Sequence, residues 1–168
     1  MGGHTAMLVA AWRPDLVARL VLLETGPGNG TRAQNEAMGD FFRSWPVPYA
    51  SKAAARAHLG DGPLENAWVN DLEQRSDGLW PRFDPDIMVT VINAVSEPRW
   101  QEWERIKAPT LAVFGDEGMF TEMEKSEFIR RGHDAGREDL PGASHDAHLD
   151  TFEAWIKVLR DFLLSPQT

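Results

Sequence analysis

Two apolar runs without alternation stand out along the chain. Arg19-Leu20-Val21-Leu22-Leu23-Glu24 is closed by Thr25-Gly26-Pro27-Gly28 and suits a parallel strand buried on both faces, with a carboxylate at its carboxyl end. Pro109-Thr110-Leu111-Ala112-Val113-Phe114-Gly115 reads as a second buried strand. A shorter extended run, Arg137-Glu138-Asp139-Leu140, ends in Pro141-Gly142. After it comes an amphipathic helix with Phe152, Trp155, Ile156, Leu159 and Leu163 on one face.

Helical patterning fills the remainder. Met1-Gly2-Gly3-His4-Thr5-Ala6 runs directly into a helix that ends before Pro14, and glycines in its first turn suit a close approach of backbone to a neighbour. Residues 30–105 read as helical and irregular. Helices are expected over Arg32 to Trp45, Ser51 to Leu59 with Ser51 as cap, Pro63 to Gln74, Asp84 to Val95 with Asp84 as cap, and Pro98 to Ile106. Thr121 to Arg131 opens with a capping box, Thr121 and Glu124. Strand, helices, strand, helix, strand, helix is the order of a parallel α/β sheet. Such sheets keep their chemistry at the carboxyl ends of the strands. Here those ends are the loops at Glu24-Thr25-Gly26, Asp116-Glu117-Gly118 and Ser144-His145-Asp146.

Composition narrows the possibilities. The 168 residues fit one domain, and 42% hydrophobic residues suffice to build its core. A net charge of −9 without a basic run argues against nucleic acid and anionic membrane as partners. Cysteine is absent, which removes disulfides and thiolate metal sites. No apolar run is long enough to span a bilayer, and no Lys/Arg cluster precedes an apolar stretch at the N-terminus, so a cytoplasmic location is the expectation. The seven Trp residues are spread widely; most are expected to pack between helices, with one or two lining a pocket.

His145 is the residue best placed to move protons, on a loop just past a strand and held by the helix behind it. His148, Asp146 and Asp150 lie close in sequence and give a His-x-x-His spacing, but no second cluster elsewhere supplies further ligands, so no metal and no cofactor is expected. Asp150 is expected to cap the last helix, and His4 to pack behind the first turn.

Taken in order, these segments resemble the C-terminal part of an α/β-hydrolase. Met1-Gly2-Gly3-His4-Thr5-Ala6 is similar to the second half of a Gly-x-Ser-x-Gly-Gly nucleophile elbow and the helix after it. Arg19 to Gly28 resembles the next strand, Pro109 to Phe120 the strand and loop that usually carry the acid, and Leu140 to Asp150 the loop of the catalytic histidine. The resemblance implies a partial α/β-hydrolase fold: the last three parallel strands and their helices, from residues 1–29 and 106–168, with residues 30–105 as a helical cap. It also implies that the nucleophile immediately precedes Met1 and that the chain is a fragment. Met after the nucleophile is similar to the Ser-Met-Gly-Gly elbow of serine esterases, lipases and C–C bond hydrolases.

The implied chemistry is acyl transfer on an ester or related bond of a small-molecule substrate. A Ser attacks, His145 acts as general base, a carboxylate orients His145, and the backbone N–H of Met1 in the full-length parent joins the oxyanion hole. The family's usual Gly-x-x-Asp spacing puts the acid at residue 118, which is Gly118. Glu24, at the end of the preceding strand, is therefore the favoured acid, with Asp116 as runner-up and Glu117 third. Without a nucleophile the chain alone is expected to be inactive. A non-catalytic protein that binds through its cap surface is the competing reading. The strand Leu20 to Leu23, apolar on both faces, is expected to leave an exposed sheet edge open to self-association.

Overall fold

The computed structural model describes residues 1–28 and 30–165, and these divide into two compact units. The first is built from residues up to 28 and from 97 onward; the second is Gly30–Ser96. Helix α1 (Gly2–Trp12) leads to strand β1 (Leu20–Leu23), and the chain then leaves for the second unit.

In that unit α2 (Arg32–Arg43) starts on a capping box in which Thr31 accepts from the Gln34 N–H and the Gln34 side chain returns to Thr31. Helices α3 (Lys52–Leu59) and α4 (Pro63–Asp71) follow, Ser51 capping the former. The helix expected to reach Gln74 stops at Asp71. Glu73–Arg75 (β2) instead pairs antiparallel with Gly78–Trp80 (β3) across Ser76-Asp77, Gly78 taking a φ of 144°. Helix α5 (Pro85–Val95) is capped by Asp84, as read from the sequence. Trp45, Tyr49, Ala55, Val69, Leu72 and Leu79 form this unit's core. Gly39 brings α2 against α5, where any Cβ would stand 2.4 Å from Val89.

The chain returns through α6 (Trp100–Arg105), β4 (Thr110–Gly115), α7 (Glu122–Arg131), β5 (Ala135–Leu140), the short α8 (Ala147–Asp150) and α9 (Phe152–Leu164). The division therefore falls at 97 rather than at 106. Trp103 on α6 is buried in the first unit's core, its ring stacked 4.0 Å from that of Phe128 and its indole N–H donating to the Phe128 carbonyl at 2.8 Å.

The strands form a parallel sheet in the order β1-β4-β5, with Leu20 opposite Thr110 and Gly115 opposite Leu140. Successive side chains alternate between its faces. Leu20, Leu22, Ala112 and Phe114 pack with α1, α6 and α7 through Met7, Trp103 and Phe128. Val21, Leu23, Leu111 and Val113 pack with Trp155 and Val158 of α9. All the carboxyl ends thus point one way, and the chain after each strand begins at the same edge.

Candidate active site

Glu24 is the residue at which β1 stops being a strand. Its N–H makes the last ladder bond, to the Val113 carbonyl at 2.9 Å, and its φ of 44° then turns the chain into the left-handed region. A non-glycine residue there carries a backbone cost of about 1–3 kcal/mol. That turn aims the carboxylate back over β4. Oε1 accepts the Gly115 N–H at 2.8 Å and Oε2 the Met119 N–H at 2.9 Å. The Glu24 side chain is fully enclosed, and Oε2 lies 3.7 Å from Nδ1 of a half-exposed His145. The separation is longer than a hydrogen bond, so the attraction is that of opposite charges at close range.

The groups around the pair set its protonation. Burial pushes the Glu24 carboxyl up, but the His145 imidazole and the Met119 and Gly115 N–H groups pull it down and prevail, leaving it below its ordinary value of 4.5. The Glu24 carboxylate raises His145 above 6.5, with Asp146 adding to it, while burial and the positive α-amino group of Met1 pull the other way. Met1 precedes the helix that packs beside the pair, α1. Gly3 lets that helix approach the end of β1: a Cβ there would lie 2.2 Å from the Thr25 hydroxyl. Gly2 faces open space, so only one of the two first-turn glycines serves close approach. His4 is buried, and burial lowers its pKa below 6.5.

The His145 loop is tied at several points. Gly142, at φ 71°, donates its N–H to Asp116 Oδ1 at 2.7 Å, and the Glu117 N–H reaches the Ala143 carbonyl at 3.0 Å. Asp116, the runner-up acid, is therefore turned to the loop's backbone, and Glu117 is exposed. Asp150 does not cap α9. Its Oδ2 accepts both the N–H, at 2.9 Å, and the hydroxyl of Ser144, closing the loop around His145. His148 is exposed on α8, and among the described residues no cluster of His, Asp and Glu could hold a metal.

Sequence reasoning missed the two N–H donors to Glu24, because backbone groups leave no mark in a sequence. It also missed the meaning of Gly118: a Cβ there would lie 2.2 Å from Glu24 Oε1. The glycine at the position of an expected acid was the available signal. A separate apolar cavity of about 320 Å³ opens just after Glu24, lined by Gly26, Pro27, Trp100, Phe114, Phe120 and Phe128 among others; neither Glu24 nor His145 lines it. No helix among the described residues is long and apolar enough to cross a membrane.

Parallel strands flanked by helices, with a His and a carboxylate gathered at the strand ends, define a chain with the α/β-hydrolase fold. The chain is a partial-length match to that superfamily. It is 25% identical over 177 residues to the mouse (Mus musculus) sn-1-specific diacylglycerol lipase ABHD11, covering 97% of this chain and 56% of that protein. It is 26% identical over 180 residues to esterase Rv0045c of Mycobacterium tuberculosis, covering 97% and 58%. The chain thus spans little more than half the length of these curated relatives. Among solved structures, E-2-(acetamidomethylene)succinate hydrolase superposes with a TM-score of 0.81 at 19% identity, over 98% of this chain and 64% of that one. A marine microorganism esterase does so with a TM-score of 0.73 at 20% identity, over 95% and 66%. No protein-family model matches the chain.

Proposed function

We propose that these 168 residues carry the base and the acid of a serine-hydrolase-type site acting on an ester or related acyl bond. The observation that carries this reading is the meeting of three distant segments: α1, whose Gly3 packs on Thr25 beside Glu24, Glu24 itself at the end of β1, and His145 after β5. Glu24 faces Nδ1, which leaves Nε2 of the half-exposed ring to take the proton of a nucleophile. Glu24 fixes the tautomer and stabilises the imidazolium that forms. The nucleophile itself is proposed to be a Ser immediately before Met1, and the Met1 N–H, once part of a peptide bond, to stabilise the oxyanion. The relatives, of which the chain spans little more than half, include a lipase and an esterase, in keeping with an acyl substrate.

Residues 30–96 are proposed to serve as the cap that selects the substrate, and the β1 edge to be the surface that meets the rest of the fold, or a second copy where that is missing. β5 exposes Glu138 and Asp139 beside a half-buried Arg137, a charged edge that discourages pairing, whereas β1 offers only Leu20–Leu23.

The test is to read the coding DNA upstream of Met1 and to express the longer protein. An in-frame Gly-x-Ser, and turnover of p-nitrophenyl butyrate that His145→Ala abolishes, are the expected results. A longer protein whose esterase activity is indifferent to His145→Ala would overturn the reading. A stop codon directly upstream would leave the 168-residue chain without a nucleophile and favour binding over catalysis.

A further inference from the structure

Lys125 is a buried cation that the proposed chemistry does not use. It sits in the middle of α7, 6% exposed, with its ammonium 5.5 Å from the centre of the Phe114 ring. Nζ donates to the Gly115 carbonyl at 2.8 Å and reaches Asp139 Oδ1 at 3.3 Å. Burying an ammonium is costly unless it is paired, so the sequence invests in this contact. Gly115 is an unusual residue to spend it on. Its N–H is the donor to Glu24 Oε1. Its α-carbon lies so near the loop before His145 that a Cβ would stand 2.2 Å from the Ala143 carbonyl and 2.7 Å from that of Ser144. One residue therefore touches both arms of the Glu24–His145 pair. It lies at the end of β4, where the strand ladder no longer fixes its carbonyl; the Gly118 N–H reaches that carbonyl at 3.3 Å, and Lys125 makes the shorter bond to it at 2.8 Å.

We propose that Lys125 is a positioning residue for the Glu24–His145 pair, acting through Gly115. By holding the Gly115 carbonyl it fixes the orientation in which the Gly115 N–H meets Glu24, and so where the carboxylate presents itself to His145. This rests on the proposed role of the pair, and the test keeps the two apart.

The groups facing His145 are Glu24, Asp146 and the Met1 α-amino group; those facing Lys125 are the Gly115 carbonyl, Asp139 and the Phe114 ring, with Glu122 and Arg137 beyond. The His145 ring proton is followed by NMR through a pH titration of the full 168-residue chain, assigned with His145→Gln. Glu24→Gln lowers the His145 midpoint if the pair is real; no change there overturns the pair itself. Lys125→Met is expected to lower the midpoint by at least half as much, and to have no further effect in the Glu24→Gln background. A cation acting on His145 directly would do the opposite, since its removal raises the midpoint. A midpoint that rises or stays put in Lys125→Met while Glu24→Gln lowers it overturns the positioning role. Lys125→Gln, one bond too short to reach as Lys does, is the second variant should the first not fold. Failure of both to fold makes Lys125 a determinant of the fold at large, and the specific role is lost.

Discussion

The Glu24 carboxylate occupies the space that a side chain at Gly118 would fill: a Cβ on Gly118 would lie within 2.6 Å of both carboxylate oxygens. The two positions are alternatives. A carboxylate can reach His145 from the end of β1 or from the loop after β4, and here it comes from β1. The glycine on the other loop is what makes room for it, and the Met119 N–H one residue on is what holds it there.

Gly118→Ala is therefore expected to push Glu24 out of place. Overpacking of this kind costs about 1–3 kcal/mol, read as a lowered melting temperature, and the His145 midpoint should fall with it. The double variant Glu24→Gly, Gly118→Asp moves the acid to the other loop and removes the left-handed φ penalty on a side chain at residue 24. It should recover a raised His145 midpoint. A fully stable Gly118→Ala with an unchanged midpoint would show that the carboxylate is not confined as described.

The pair makes stability depend on pH in a bounded window. His145 is raised in the folded chain, so its contribution is complete below 6.5 and is lost as pH rises through the folded value. Glu24 is lowered, so its contribution is complete above 4.5 and is lost as pH falls through its folded value. The melting temperature lost on His145→Gln should accordingly be greatest between these limits and shrink on either side. Because His145 is half exposed, the effect is that of a screened pair and small. Thermal melts of both proteins across the range check it; a difference that grows steadily above neutrality would contradict the assigned charges.

The framework of the first unit was legible in the sequence because buried parallel strands are written as unbroken apolar runs. Leu20–Leu23 and Thr110–Gly115 could be placed within a residue or two, and the caps at Thr121, Ser51 and Asp84 announced their helices. The hairpin at Glu73–Trp80 escaped because its strands are three residues long and mostly polar, although Asp77-Gly78 carried a turn signal. Trp103 was grouped with the inserted helices because sequence order cannot say which core an aromatic ring enters. At the site, the strand ends named His145 and Glu24 as candidates, and the structure sets Glu24 Oε2 3.7 Å from His145 Nδ1. The role of Asp150 could not be named in advance, since a carboxylate two residues before a helix reads equally as a cap or as a ligand for the loop behind it.

Asp150 is in fact the latch of that loop, and its pKa is held low by the Ser144 hydroxyl and N–H. Asp150→Ala should cost about 1 kcal/mol or less and let His145 move. The expected signature is faster amide exchange across Ser144–Ala147 with exchange in β4 unchanged. Equal protection of the loop in both proteins would mean that Ala143 and α8 hold it without the latch.

The β1 edge makes the last prediction. In the sheet as described β1 has β4 on one side only, and the surface beside it is apolar: Val9, Leu16 and Leu163 are 39%, 63% and 45% exposed and border a groove of about 610 Å³. α9 buries no residue completely, so its apolar face is also only partly covered. A free apolar edge beside a free apolar groove invites a second strand, and in a preparation of these 168 residues alone the nearest source is another copy. Sedimentation of the isolated chain should show concentration-dependent association. Val9→Lys together with Leu16→Lys, both exposed and outside the core, should weaken that association without lowering the melting temperature. A chain that sediments as a single monomer at every concentration, with the double variant indistinguishable from it, would show that this edge is already sufficiently protected by its own flanks.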